Sequence, residues 1–300
     1  MASWDTVATV KAPVEQILAY TAHHLWLGAR SIRLYLDDPR TTLPDCLEQH
    51  PRVTITRCDD GYWQSQGKRP EGHQGRQSRN ARHAYSGTDS AWLAHLDVDE
   101  FILAERPVEQ ILDDVSSDVR LVKLEPFEAV HDPALAEDIF TARTFRGPLR
   151  HEFADLRKVA LGEYARLMPL GTLSHAIGKV FFRTGIPGLL PRIHGAMLKG
   201  ERVPASDRNP EMRLLHFHAQ DREAWRAALP FRLTRGAYQF NPLLQGYLLS
   251  ASAEEIDRFY LRTQTLTPEI TEALADRGRI AIADLRLKAK VADLLAGRLD

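Results

Sequence analysis

Asp97-Val98-Asp99-Glu100 is the stretch of this chain best suited to chemistry. Three carboxylates within four residues follow an apolar run, Trp92-Leu93-Ala94-His95-Leu96, and precede another, Phe101-Ile102-Leu103. Residues Trp92 to Ile102 read as one buried strand. Alternate strand residues share a face, so Asp97 and Asp99 are expected to project together. Carboxylates held side by side repel and need compensation. A hard divalent cation with oxygen ligands supplies it, which points to Mn²⁺ or Mg²⁺ and, through the metal, to a phosphate-bearing ligand.

Such a site needs a scaffold, and the preceding residues describe one. Thr6 to Val10 is a β-favouring run. Pro13 and Glu15 open a helix whose apolar residues Val14, Ile17, Leu18, Leu25 and Trp26 recur at helical spacing, with Gly28 placed to stop it. Strands follow at Ile32–Leu36 and Val53–Thr56, a helix starts near Gln74, and then comes the aspartate-bearing strand. This order predicts an α/β fold with a doubly wound, mostly parallel sheet flanked by helices. Ligands of such sheets bind beyond the carboxyl ends of the strands, where Asp37-Asp38 and Asp97/Asp99 both fall.

Downstream, strands are expected at Val119–Leu124, Val180–Arg183 and Leu214–His218, and helices from Ser252 onward. Residues 140 to 171 give no clear pattern. His216 and His218 alternate on their strand and share a face. Lys179, Arg183, Arg192 and His194 form a basic cluster around a Gly/Pro-rich loop, which reads equally as a diphosphate contact or as a solvated loop.

Composition narrows the field. A formal charge of -1 with pI near 6.9 gives no polycationic surface for nucleic acid. Cys46 and Cys58 build neither a disulfide framework nor a zinc site. No apolar run is long enough to cross a bilayer, and no signal peptide pattern opens the chain, so a cytoplasmic protein is expected.

The segment Trp92 to Phe101 resembles the DxD segment of GT-A-fold glycosyltransferases, above all the branch related to family 2 whose strand ends Asp-x-Asp-Glu-Phe. Three further segments fit that branch in order. His23 to Ala29 resembles its helix end before the second strand, Arg76-Gln77-Ser78-Arg79-Asn80 its Arg-Asn element, and Leu215-His216-Phe217-His218 its late histidine strand. The resemblance spans roughly residues 6 to 235. It implies a GT-A-like domain over 1–235 and a C-terminal helical extension over 236–300.

The implied activity is metal-dependent, inverting transfer of a sugar from a nucleotide diphosphate sugar to an acceptor hydroxyl on a glycan, a lipid-linked glycan or a protein. By the same resemblance Asp97, Asp99 and His216, or His218 in its place, hold Mn²⁺ or Mg²⁺. Asp37, Asp38, Arg76, Arg79, Asn80, Asp97 and Lys179 contact the sugar nucleotide. The cation would stabilise charge developing on the departing diphosphate. Inversion requires a carboxylate base. The family's acidic base motif has no clear counterpart here, and Glu128, followed by Asp132, occupies the stretch where that base belongs.

Competing readings accompany each residue: a plain turn for Asp37-Asp38-Pro39, a surface helix for Arg76 to Asn80, a structural role for either histidine. A haloacid-dehalogenase-type phosphatase is disfavoured because Phe101 stands where a small hydroxyl residue belongs. A nucleotidyltransferase is disfavoured because Lys11-Ala12-Pro13 is no glycine-rich loop. A degenerate GT-A domain that binds a sugar nucleotide or a protein without turnover is the remaining alternative.

Overall fold

The computed structural model describes residues 1–299. In chain order the elements begin with β1 (Trp4–Val10), α1 (Val14–Trp26), β2 (Ser31–Leu36), α2 (Asp45–Glu48), β3 (Val53–Arg57), α3 (Asp60–Ser65), α4 (His73–Ser86), β4 (Trp92–His95), β5 (Glu100–Ala104) and α5 (Val108–Asp113). Then come β6 (Leu121–Ala129), β7 (Thr144–Arg146), α6 (Ala154–Leu161), β8 (Lys179–Arg183), β9 (Leu189–Arg192), β10 (Gly195–Leu198), β11 (Glu201–Arg202) and β12 (Arg208–His216). The chain closes with α7 (Arg222–Thr234), α8 (Pro242–Ser250), α9 (Ala253–Gln264), α10 (Pro268–Ala275), β13 (Ile280–Ile282) and α11 (Leu287–Leu295).

These elements fall into two compact units. The first comprises residues 1–125, 178–214 and the chain from Arg286 on; the second comprises 126–177 and 215–285. Residue 235, where the resemblance sets a domain boundary, caps α7 inside the second unit.

In the first unit β3, β2, β1 and β4 lie side by side and parallel, in that order. Beyond β4 the sheet continues antiparallel through β8 and the first half of β6. The expected parallel core is therefore present, with an antiparallel margin. β1 is buried on both faces because both are covered by apolar side chains. Trp4, Ala8 and Val10 join Ile17, Leu18 and Tyr20 of α1 in one cluster, and Val7 joins Ala81, Ala84 and Tyr85 of α4 in another. That is the period-2 alternation of a central strand with a helix on each side. Gly28 ends the α1 region with φ +91°, a conformation that costs glycine little. α11 also belongs here. Its Lys290 Nζ lies 3.1 Å from His23 Nδ1 and 3.6 Å from the centroid of the Trp26 ring, a cation–π contact.

The second unit has its own core, built on Leu156, Tyr164, Trp225, Tyr238, Phe259 and Tyr260. Ser252 and Glu255 form a reciprocal capping box that starts α9, and Thr267 with Pro268 starts α10. Glu128 and Ala129 of β6 pair antiparallel with Arg146 and Phe145 of β7, which pairs in turn with β13. Residues 140–171, unassigned from sequence, thus contribute β7 and α6. Ile280 to Ile282 is a strand rather than the expected helix. It supplies an edge to β7, a tertiary demand that local periodicity does not carry. Among the described residues no helix is long and apolar enough to cross a membrane.

Candidate functional site

The strand order of the first unit fixes where a ligand belongs. The chain runs outward from β1 to β2 to β3, then returns to place β4 on the other side of β1. The order reverses between β1 and β4, and the crevice of an open α/β sheet lies at the carboxyl ends of such strands. β4 ends there at His95, followed by Leu96 and Asp97.

The acidic residues do not continue the strand. Leu96 N still donates to Val7 O at 3.1 Å, but Glu100 N donates to Asp97 O at 3.0 Å, which closes a turn from Asp97 to Glu100, the first residue of β5. Asp97 and Asp99 are therefore not alternate residues of one strand. Glu100 Oε2 accepts the Asp97 backbone N–H at 2.8 Å, so the third acid caps the turn in which the first two sit.

Asp97 carries two short contacts. Its Oδ1 accepts from Gln77 Nε2 of α4 at 2.5 Å, and its Oδ2 from Lys179 Nζ of β8 at 2.7 Å. Lys179 Nζ also lies 3.3 Å from Glu100 Oε2, and the Lys179 and Glu100 side chains are fully buried. Burial alone would pull the Lys179 ammonium down; Asp97 and Glu100 more than reverse this and hold it above the usual lysine value. Two neighbouring imidazoles go the other way. Burial, helped by the Lys179 charge, lowers His95 to about 3 and His194 to about 4, so both are neutral near pH 7. His194 Nδ1 lies 2.8 Å from Gly178 O.

Helix α4 ties this turn to the neighbouring strand ends. Arg76 forks onto Asp37 with Nε–Oδ1 2.7 Å and Nη2–Oδ2 2.9 Å, and Arg69 Nη2 reaches the same carboxylate at 3.2 Å. Asn80 Nδ2 donates to Thr9 Oγ1 of β1 at 2.9 Å and its Oδ1 accepts from Tyr62 OH at 2.7 Å. Arg79 Nη1 donates to Gln66 O. Asp38 is in a turn and accepts from Arg40 N at 3.0 Å. Arg76 and Asn80 are thus joined internally, as is Asp37, and Gln77, not singled out from sequence, makes the direct link to Asp97. A neutral amide beside Arg76 carries no signal of its own.

The remaining candidates belong to the second unit. Glu128 is buried, and its Oε2 and Oε1 accept from the backbone N–H groups of Leu173 and Ser174 at 2.8 and 2.7 Å. Asp132 Oδ1 accepts from Ala134 N at 2.9 Å in an exposed turn. β12 ends at His216, so His218 lies outside the strand on which the two were expected to alternate. His216 Nδ1 lies 3.2 Å from Ser174 Oγ, His218 Nε2 lies 3.0 Å from Tyr238 OH, and the two imidazole centroids are 5.1 Å apart.

The donor set does not fit Mn²⁺ or Mg²⁺ bound through Asp97, because an ammonium already stands against Oδ2 and an amide against Oδ1. Among the described residues no group of three or more His, Cys, Asp or Glu side chains is placed to hold a metal ion.

No protein-family model and no curated protein matches this chain. Among solved structures it is similar to the crystal structure of HddC from Yersinia pseudotuberculosis, with 12% identity over 48% of this chain and 68% of that one and a TM-score of 0.25. A likeness of that size bears on neither fold nor function.

Proposed function

We propose that this chain is a sugar-nucleotide-dependent glycosyltransferase of GT-A type, and that the nucleoside diphosphate of its donor binds at the carboxyl ends of β1, β2 and β4. The observation that carries the reading is the position of the Asp97–Glu100 turn at the β1/β4 reversal of a parallel sheet. Asp37 closes β2 on the same edge, held by Arg76 and Arg69. Both spots carry acids at the ends of strands, and α4 links them through adjacent residues, Arg76 and Gln77.

In this reading the acidic turn and Asp37 accept hydrogen bonds from donor hydroxyls, while Lys179 supplies the fixed positive charge nearest the turn. A preformed charge of this kind needs no reorganisation as the diphosphate leaves. The acceptor belongs to one of the classes named above: a glycan, a lipid-linked glycan or a protein hydroxyl.

One observation favours a second reading, a sugar-nucleotide-binding module without turnover. Both oxygens of Glu128, the candidate base, are occupied by backbone N–H groups. A panel of sugar nucleotides separates the two. Saturable binding with release of nucleoside diphosphate supports the enzyme, binding without release supports the module, and no binding by any member defeats both.

A further inference from the structure

Asp97, Asp99 and Glu100 place three carboxylates on one turn, and the cation the fold sets against two of them, Asp97 and Glu100, is a side chain. Lys179 Nζ lies between Asp97 Oδ2 and Glu100 Oε2 at 2.7 and 3.3 Å, with its side chain fully buried. It is the first residue of β8, which is pinned on one edge by β4 and on the other by β6. The backbone thus holds the ammonium at the turn. Gln77 completes the grip by donating to the other oxygen of Asp97 from α4.

A divalent cation on Asp97, whose side chain is 29% exposed, would have to displace the fully buried Lys179 ammonium from Oδ2 and leave that charge without its partner. We propose that Lys179 is the resident cation of this turn, so that Asp97 takes no divalent metal and a nucleoside diphosphate binds here without one. The proposal rests on the sugar-nucleotide reading for its ligand, but its statement about Asp97 stands on the ion pair alone.

Two measurements on the full chain test it. Mn²⁺ is titrated into the protein and followed by the electron paramagnetic resonance signal of the free ion, for the wild type and for Lys179→Met. The wild type should leave that signal undiminished, and Lys179→Met, which uncovers Asp97 and Glu100, should bind Mn²⁺ at least about tenfold more tightly. Uridine and guanosine diphosphate are then titrated calorimetrically in EDTA and in Mn²⁺. The affinity of whichever binds should agree within about twofold between the two conditions.

Sequestration of Mn²⁺ by the wild type, or nucleotide binding that requires Mn²⁺, overturns the inference and leaves the sugar-nucleotide reading standing. A folded Lys179→Met that gains no Mn²⁺ overturns it as well. If the variant does not fold, the wild-type titration decides. If neither diphosphate binds in either condition, the ligand half of the inference falls with the reading, and the Mn²⁺ spectra still decide whether Lys179 excludes the metal.

Discussion

Lys179 Nζ lies 2.7 Å from Asp97 Oδ2, and none of the Lys179 side chain reaches solvent. Removing one partner of a buried ion pair leaves the other charged and uncompensated, which costs about 3–5 kcal/mol. Lys179→Ala should therefore lose about that much in urea unfolding at pH 7. The Lys179 pKa is raised on folding, so its contribution is complete below the unfolded lysine value of about 10.4 and is lost only as pH rises through the folded one. A loss under about 1 kcal/mol would place Lys179 in the class of surface pairs instead.

Burial acts in the opposite sense on several histidines, among them His23, His24 and His95. His24 and His95 are each drawn down to about 3, and His23 well below the ordinary value, with desolvation the largest cause in each. Between about pH 6.5 and pH 3 the unfolded chain binds protons at these sites that the native state refuses, so stability must fall as pH falls through that window. Each pK unit is worth about 1.4 kcal/mol, giving a loss of several kcal/mol by pH 4. Urea midpoints at pH 7, 6, 5 and 4 should drop steadily, and His95→Gln should flatten part of the slope. A midpoint constant from pH 7 to pH 4.5 would contradict the neutral buried state.

Glu128 holds Leu173 N and Ser174 N with its two carboxylate oxygens. Glu128→Gln replaces one acceptor with a donor and leaves a backbone N–H without a partner, at a cost of about 1–3 kcal/mol. Faster amide exchange at Leu173 and Ser174 should accompany the loss. A variant of full stability with unchanged exchange and no sugar transfer would instead identify Glu128 as the catalytic base.

How much of this was legible in the sequence depends on where the cause lay. Apart from the short α3, the helix–strand order as far as β4 was readable because β1 and β2 are short runs of apolar and β-branched residues, and α1 keeps a clean helical stripe. The position of Asp97 was readable too, as the first acid after a buried run. Its geometry was not. Glu100, read as part of the strand, turns the chain by capping the Asp97 N–H, a side-chain-to-backbone bond that no periodicity encodes. Lys179 stood in the sequence as one of a basic cluster; its partner lies eighty-two residues away, and only the antiparallel pairing of β8 with β4 brings them together. Gln77 was hidden for a similar reason, since a neutral amide between two arginines carries no signal until the acid it meets is known. The strand Ile280–Ile282 was lost because its partner β7 lay in a stretch without pattern of its own.

Hydrogen–deuterium exchange with and without a saturating sugar nucleotide tests the placement of the donor most directly. Protection of the amides of residues 96–100 and 37–41, in step with occupancy, is the result expected from a donor seated at the carboxyl ends of β4 and β2. Saturable binding that protects other segments and leaves both of these unchanged would contradict it.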